Sequence, residues 1–132
     1  SDFDYSYIVL LRNADMLSKD IVINRLLASA DAMISDYSSA AVDYLSLDRP
    51  LAFTLDDVEE YENSRGFVFD NIKEWLPGKE VFDFDGFCDF VKEVAAGQDT
   101  SKEKRRRVSA KMLRYKDNQN CKRILEAFGI EI

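Results

Sequence analysis

The stretch AMISDYSSAAVDYL, residues 32–45, decides how this chain folds. Three apolar residues end at a Ser-Asp pair, a tyrosine and two serines follow, and a segment with helical spacing comes next. An apolar run that stops at small polar residues before such a segment predicts a strand, a turn and a helix. One serine hydroxyl is enough to cap a helix, so capping alone does not explain why Ser38 and Ser39 are both serines.

The same alternation continues on both sides of this stretch. Upstream, YSYIVLL (residues 5–11) predicts a strand buried on both faces, and SKDIVINRLLASA (residues 18–30) predicts a helix capped by Ser18. Downstream, Pro50 opens another strand, at the position where a strand tolerates proline. Strands that alternate with helices predict right-handed βαβ crossovers and a parallel sheet. The strands expected to lie side by side are residues 7–11, 32–35 and 51–54.

The rest of the chain is predicted to be irregular and then helical. Residues 56–84 show no clear periodicity and predict a long ordered loop. DFDGFCDFVKEVAAG (residues 83–97) predicts an amphipathic helix that ends at Gly97. Residues 100–128 predict either one long helix or two shorter ones, with a possible break at KDNQN.

Three strands make a small sheet, and a first strand as apolar as YSYIVLL needs a neighbour on each side. The predicted fold class is therefore α/β, with residues 1–132 forming the C-terminal half of a larger, doubly wound Rossmann-like domain. About three parallel strands and several C-terminal helices belong to this half-domain.

Composition excludes several kinds of function. The 132 residues contain no histidine, so no Ser-His-Asp, Cys-His or His-metal site is built from this chain alone. The net charge of −7 argues against a nucleic-acid partner, whose binding domains carry a basic face. No apolar run approaches the length of a membrane span, and the acidic start SDFDYSY does not resemble a signal peptide. Cys88 and Cys121, far apart, are expected to be reduced thiols.

One segment is strongly basic. From Lys102 to Arg123 the chain has ten Lys/Arg against two Asp/Glu, and KEKRRR (residues 102–107) is its densest part. Two interpretations remain open for this part: a solvated helix face, or a contact from Lys104 to Arg107 with an anionic membrane or a polyanionic substrate.

The chemistry of the double serine points to an anion. Ligands of open parallel sheets bind beyond the C-terminal ends of the strands, and a helix that begins there offers unpaired N–H groups. Ser38 and Ser39 offer two hydroxyls and two amides, which suits a diphosphate, and Asp43, one turn into the helix, suits the hydroxyls of a ribose. The alternative is that one serine caps the helix and Asp43 is solvated.

An ordered set of residues around this stretch resembles the CDP-glycerol glycerophosphotransferase family. The likeness begins at AMISDYSSAAVDYLSLDRPLAFTLDDVEEYENSRGFVFDN and extends over nearly the whole chain. Ser35 stands where the family usually has threonine, and it keeps the hydroxyl. The matching positions are Ser35-Asp36-Tyr37-Ser38-Ser39, Asp43-Tyr44, Arg49-Pro50, Asp57, Tyr61 and Arg65-Gly66-Phe67.

The resemblance implies a GT-B fold and the transfer of glycerol phosphate, or a related polyol phosphate, from a CDP-linked donor. It implies as partners a lipid-linked surface polymer, as in teichoic acid synthesis, and the cytoplasmic face of the membrane, on which the whole protein would be peripheral. The histidine base of the family lies outside this chain, so no catalytic residue is expected here and the fragment is expected to be inactive alone.

Roles for individual residues follow from the resemblance. The substrate-binding residues are expected to be Ser35, Asp36, Ser38, Ser39, Asp43 and Arg65. Asp36 is expected to orient the turn by accepting hydrogen bonds from nearby N–H groups. Arg65 is expected to bind phosphate, with a salt bridge to a nearby glutamate as the alternative.

No metal and no cofactor are expected, because DFD at residues 83–85 fits a helix start better than a metal site. Three alternatives to the transferase remain open. They are a non-catalytic nucleotide-binding or interaction domain, a response-regulator-like domain, and a glycosyltransferase that uses a nucleotide-diphosphate sugar.

Overall fold

The computed structural model of the chain describes residues 7–64, 66 and 71–130. The chain divides into two compact units, residues 1–30 and residues 31–132. The three strands of the described residues all belong to the second unit, where they form one parallel sheet. An α/β fold with three parallel strands, as the sequence predicts, is therefore confirmed.

The first unit contains two short helices, α1 (Asn13–Ser18) and α2 (Ile23–Ser29). The strand predicted for residues 7–11 is wrong: these residues form no strand, and Val9 is 80% exposed. An apolar run becomes a strand only when a neighbour satisfies its N–H and C=O groups, and neither ladder of the sheet includes these residues. Residues 5 and 6 lie outside the described residues.

The helix predicted for residues 18–30 starts later than expected. Ser18 does not cap it but ends α1, where its hydroxyl donates a hydrogen bond to the Asp15 carbonyl oxygen at 3.0 Å. Asp20 then adopts a left-handed conformation with φ of 52°, which interrupts the helical path. The helical spacing of the apolar residues was a real signal, but a turn separates it from the serine.

The second unit is built on strands β1 (Met33–Ser35), β2 (Leu51–Thr54) and β3 (Lys79–Val81), in the order β1-β2-β3. The register places Ile34 opposite Ala52, and Phe53 opposite Glu80. The two strands predicted at residues 32–35 and 51–54 are confirmed. The third strand comes from the segment predicted to be a loop, because Lys-Glu-Val is too short and too polar to show a strand pattern.

Helices surround this sheet in the same unit. Helix α3 (Ala40–Tyr44) continues as a 3₁₀ turn (Leu45–Leu47), and the two together are called the α3 segment below. The predicted helix at residues 83–97 is confirmed, as is the break within residues 100–128. The remaining helices are α4 (Val58–Ser64), α5 (Ile72–Trp75), α6 (Phe84–Ala95), α7 (Lys102–Met112) and α8 (Asn120–Ala127).

Local chemistry explains where α6 begins and ends. Asp83 is its N-cap, and Asp83 Oδ1 accepts a hydrogen bond from the Gly86 N–H at 2.8 Å. Gly97 follows the helix with φ of 68°, the left-handed conformation that often ends a helix. The DFD sequence at residues 83–85 therefore serves the start of a helix. None of the described helices is long and apolar enough to cross a bilayer.

The core lies between the central strand and the helices that cover it. Leu51, Ala52 and Phe53 of β2 are buried, which is expected of a central parallel strand. Val81 and Phe90 pack with Ala52. The other buried apolar residues are Ala41, Tyr44, Leu45, Leu55, Leu76 and Val108.

Arg105 of α7 is the largest buried side chain, at 1% exposure. Its Nε and Nη2 donate to the Oδ1 and the carbonyl oxygen of Asp48, both at 3.0 Å. Its Nη1 and Nη2 donate to the two carboxylate oxygens of Asp99 at 3.0 and 2.7 Å. Arg106 Nε binds the second Asp48 oxygen at 2.8 Å. These four residues form an ion cluster that joins α7 to the end of the α3 segment.

The cluster limits both interpretations of KEKRRR to part of the segment. Arg105 is neither solvated nor accessible to a membrane, and Arg106 pairs with Asp48. Lys104 binds Glu80 of β3 at 3.1 Å. Lys102 and Arg107 are exposed and make no ion pair within the described residues. Three of the five cations of KEKRRR therefore neutralise acidic side chains of their own unit, a pairing that sequence alone does not show.

The contact between β2 and β3 predicts that Gly78→Ala destabilises the protein. A Cβ at residue 78 would lie 2.2 Å from the Leu51 carbonyl oxygen, so the strands must move apart. We expect the free energy of unfolding to fall by about 1–3 kcal/mol or more, measured by urea denaturation. Gly86→Ala is the control, since its Cβ would lie 3.3 Å from the Asp83 Oδ1 and it sits in a helix, where alanine is favoured. Equal stability of the two variants would contradict this account.

The ion cluster predicts loss of stability in acid. Burial raises the pKa of Asp48, but hydrogen bonds from Arg106 and Arg105 outweigh it and hold the pKa below its ordinary value of 3.8. A carboxyl whose pKa is lowered by folding stabilises the folded state above its unfolded pKa, and this contribution is lost as the pH falls through the folded pKa. Unfolding free energy should therefore decline as the pH drops below about 4.

Asp48→Asn tests this assignment. We expect the variant to be less stable at neutral pH and to lose less further stability between about pH 4 and pH 2. The control is Asp89→Asn, because Asp89 makes only an exposed pair with Lys92 at 3.4 Å. A full acid-induced loss in Asp48→Asn would show that other carboxyls are responsible.

Candidate functional site

Two loops follow the parallel strands at the same edge of the sheet. β1 leads into residues 36–39, and β2 leads into Leu55, Asp56 and Asp57. Because β1 and β2 are parallel, their C-terminal ends lie side by side. This is the edge at which open α/β sheets bind ligands, so the candidate site begins here.

The turn after β1 is held by its own side chains. Ser35 is 8% exposed at the end of the strand. Asp36 Oδ1 accepts a hydrogen bond from the Ser38 N–H at 2.9 Å, as in an Asx turn. Ser38 Oγ in turn accepts from the Ala40 N–H at 3.3 Å. The orienting role predicted for Asp36 is thus present, while its part in binding a substrate stays a prediction.

The two serines differ in what they bond. The Ser38 hydroxyl is engaged with the start of α3. Ser39 contributes its carbonyl oxygen, which accepts from the Val42 and Asp43 N–H groups at 2.9 and 3.3 Å, but its side chain does not cap the helix. The Ser39 side chain is exposed, and within the described residues its hydroxyl makes no hydrogen bond. Only one of the two hydroxyls is therefore needed by the fold.

Two other predicted residues have different outcomes. Asp43 is exposed in α3, and its backbone oxygen accepts a hydrogen bond from the Ser46 hydroxyl at 2.7 Å. Its carboxylate makes no ion pair in the described part of the chain, so its role in binding a ribose remains a prediction. Arg65 lies outside the described residues, and its expected contact with phosphate also remains a prediction.

A hydrogen bond joins the two loops. The Tyr37 hydroxyl donates to Asp57 Oδ1 at 3.2 Å, and the Tyr37 ring lies 4.5 Å from the Tyr61 ring, measured between centroids. Burial, the hydrogen bond to Asp57 and the charges of Asp57, Asp56 and Asp36 raise the pKa of Tyr37 to about 12. The phenol is therefore neutral at physiological pH and sits in an acidic environment. Asp57 and Tyr61 were noticed in the sequence only as part of a family pattern, since neither stands in a local motif.

A cavity of about 220 Å³ opens beside the turn. The Ser38 side of the turn, the exposed face of α3, the end of β2 and helices α4, α5 and α7 all contribute to its wall. Most of the wall is apolar or aromatic, and none of its described residues is charged. The lining residues are Tyr37, Ser38, Ala41, Val42, Phe53, Tyr61, Gly66, Ile72, Trp75, Leu76, Pro77 and Met112.

The amino-acid sequence matches a family of known proteins. Residues 9–128 match the family described as CDP-Glycerol:Poly(glycerophosphate) glycerophosphotransferase. The ribitol-phosphate polymerase TarK of Staphylococcus aureus is 30% identical over 104 residues, which cover 79% of this chain and 19% of that protein. The teichoic acid glycerol-phosphate transferase of the same species is 30% identical over 138 residues, covering 93% of this chain and 35% of that protein.

A third relative comes from another organism. The teichoic acid poly(glycerol phosphate) polymerase of Bacillus subtilis is 36% identical over 75 residues, which cover 56% of this chain and 10% of that protein. The chain spans less than a fifth of the length of TarK, so the comparison concerns one part of such a protein. Nearly all of its residues fall within the matched region, including both loops of the candidate site. The chain belongs to the CDP-glycerol:poly(glycerophosphate) glycerophosphotransferase family.

Proposed function

We propose that this chain is the donor-binding part of an enzyme that transfers a polyol phosphate from a CDP-linked donor to a cell-surface polymer. Membership of the family supports the reaction type. The names of the relatives include glycerol-phosphate transferases and ribitol-phosphate polymerases, so the proposal covers both polyols. In the whole protein this chain forms half of a Rossmann-like domain of a GT-B enzyme, and the donor lies between that domain and another.

The observation that carries the proposal is that the hydroxyls of Ser38 and Ser39 differ in their hydrogen bonding. Ser38 serves the helix start, and Ser39 presents a hydroxyl that the fold does not use, at the edge where parallel sheets bind ligands. The Ser38 and Ala40 N–H groups are already bonded to Asp36 and to the Ser38 hydroxyl oxygen, so we assign the binding of an anion to the O–H groups of the two serines. We assign the diphosphate of the donor to these two serines. Asp43, one turn further on, is assigned to the ribose.

The charge of the site sets a further requirement. Asp36, Asp56 and Asp57 all act on Tyr37, so the edge beside the turn is acidic and repels a diphosphate. None of the described residues that line the cavity is a lysine or arginine. Binding therefore requires a cation from elsewhere, and we assign this role to Arg65, which can contact a phosphate with two N–H groups.

The chemical step needs a group that this chain lacks. The family is expected to use a histidine base and no histidine is present here, so we assign the base that activates the acceptor hydroxyl to another part of the protein. The residues of this chain bind and orient the donor and stabilise the leaving nucleotide through the serine hydroxyls and Arg65. We expect the chain by itself to bind donor weakly and to transfer nothing.

Ser39→Ala in the full-length enzyme tests the assignment. Loss of a hydrogen bond to a charged phosphate costs about 1.5–3 kcal/mol, so the dissociation constant for CDP-glycerol should rise about tenfold or more. The melting temperature should stay within about 2 °C of wild type, because the hydroxyl makes no bond within the described fold. Titration calorimetry and a thermal melt measure the two quantities.

Ser38→Ala is the matched comparison. This substitution removes a hydroxyl that also accepts a hydrogen bond from the Ala40 N–H. It should therefore weaken the binding of CDP-glycerol and also lower the free energy of unfolding by about 1 kcal/mol. If both variants bind CDP-glycerol as wild type does, the serines serve the helix alone and the diphosphate assignment is wrong.

The partner proposed for the whole protein is the cytoplasmic face of the membrane, where a lipid-linked acceptor resides. Lys102 and Arg107 are exposed and make no ion pair in the part of the chain that the structure describes, so they are the cations of KEKRRR able to reach anionic lipid. Changing both to glutamine should reduce sedimentation of the full-length protein with phosphatidylglycerol vesicles at low salt, with about a thirtyfold loss of affinity for two lost contacts of about 1 kcal/mol each. The control changes Lys73 and Lys92. Binding that neither salt nor the double variant alters would exclude this contact.

A further inference from the structure

The ion cluster around Arg105 lies at the opposite end of the α3 segment from the double serine. Asp48 is the residue at which the segment ends, and its left-handed φ of 49° turns the chain toward β2. Its N–H donates to the Leu45 carbonyl oxygen at 3.3 Å, which closes the 3₁₀ turn. Arg105 binds both the carboxylate and the carbonyl oxygen of Asp48, so the side chain and the backbone of this residue are both held.

Arg105 is itself fixed by a second carboxylate. Both oxygens of Asp99 accept from its guanidinium, and Asp99 lies in the loop between α6 and α7. Four hydrogen bonds to a planar group leave it no alternative orientation in a site that excludes water. The C-terminal end of the α3 segment is thus attached to a rigid point of the unit.

Because the α3 segment is long, a small tilt at its attached end displaces its serine end. Five α-helical residues and three 3₁₀ residues span about 13 Å. Over that length a tilt of about 5° moves the opposite end by about 1 Å. A displacement of about this size lengthens a hydrogen bond of about 2.9 Å beyond the range in which it counts as one. At the serine end, the turn is held by the Asp36 and Ser38 hydrogen bonds and by the bond from the Tyr37 hydroxyl to Asp57.

We propose that Arg105 is a positioning residue for the donor, which sets the tilt of the α3 segment through Asp48 and so places Ser38 and Ser39 at the sheet edge. The inference rests on the proposed function and adds a residue that touches no substrate. It also assigns Asp48 a part in donor affinity. Lysine cannot replace Arg105, since an ammonium group does not make paired contacts to Asp48 and Asp99 at once.

The test uses the full-length enzyme, with CDP-glycerol as the probe, well below the melting temperature of each variant. Arg105→Lys keeps the charge and should raise the donor dissociation constant at least fivefold, while turnover at saturating donor stays within twofold. Arg25→Lys is the control, at an exposed arginine of α2 that carries no assigned role, and it should change neither quantity. Asp48→Asn attacks the same contact from the other side and should reproduce the rise if Arg105→Lys does not fold.

A double variant separates positioning from mere stability. If Arg105 acts through the turn, Arg105→Lys should weaken donor binding much less in a Ser39→Ala background than in wild type. If the cluster only stabilises the fold, the variants lower the melting temperature and leave the donor dissociation constant of the folded enzyme unchanged, which overturns the inference. Effects of Arg105→Lys and Ser39→Ala that multiply in full also overturn it.

The two hypotheses fail in different ways. An unchanged dissociation constant in Ser39→Ala overturns the diphosphate assignment, and the positioning role falls with it. A rise in Ser39→Ala without one in Arg105→Lys or Asp48→Asn overturns the positioning role alone.

Discussion

The second unit depends on one buried guanidinium. Arg105 is 1% exposed, and a charge removed from water in this way is tolerated only when it is paired and hydrogen-bonded. Asp48 and Asp99 satisfy it from two loops that are distant in sequence. The contact ties α7 to the turn between the α3 segment and β2, and so holds the end of the α3 segment. Removing Asp48 or Asp99 would leave part of the buried guanidinium without an acceptor, so the cluster constrains the whole unit.

The double serine has a structural half and a free half. Asp36, Ser38 and Ala40 form a closed chain of local hydrogen bonds that starts α3. Ser39 adds a backbone acceptor to the helix but keeps its hydroxyl free of the described residues. A helix cap alone does not require that second hydroxyl, and family membership gives it a chemical context. The fold and the proposed binding role therefore use different atoms of the same short turn.

Electrostatics limits what can bind at the edge beside the turn. The phenol of Tyr37 has its pKa raised to about 12, partly by three surrounding carboxylates. The same carboxylates disfavour a diphosphate unless cations balance them. The basic segment does not supply those cations, because Lys104, Arg105 and Arg106 neutralise acidic groups of their own unit. A diphosphate bound there, as we propose, would need a cation such as Arg65 or one from another part of the protein.

The sequence by itself determined β1, β2, the α3 segment, α6 and the family, because each rests on local spacing or on an ordered motif. It also located the turn at residues 35–39, where Asp36 orients the backbone. Only the tertiary structure decided the rest. Residues 7–11 are as apolar as a buried strand but have no partner in the sheet, whereas Lys79–Val81 are polar and become β3 because Gly78 lets them approach Leu51. The pairing of Arg105 with Asp48 joins two residues that are 57 positions apart in the sequence. The bond between Tyr37 and Asp57 joins two that are 20 positions apart. Such contacts depend on how the elements pack, and a local pattern of residues does not encode them.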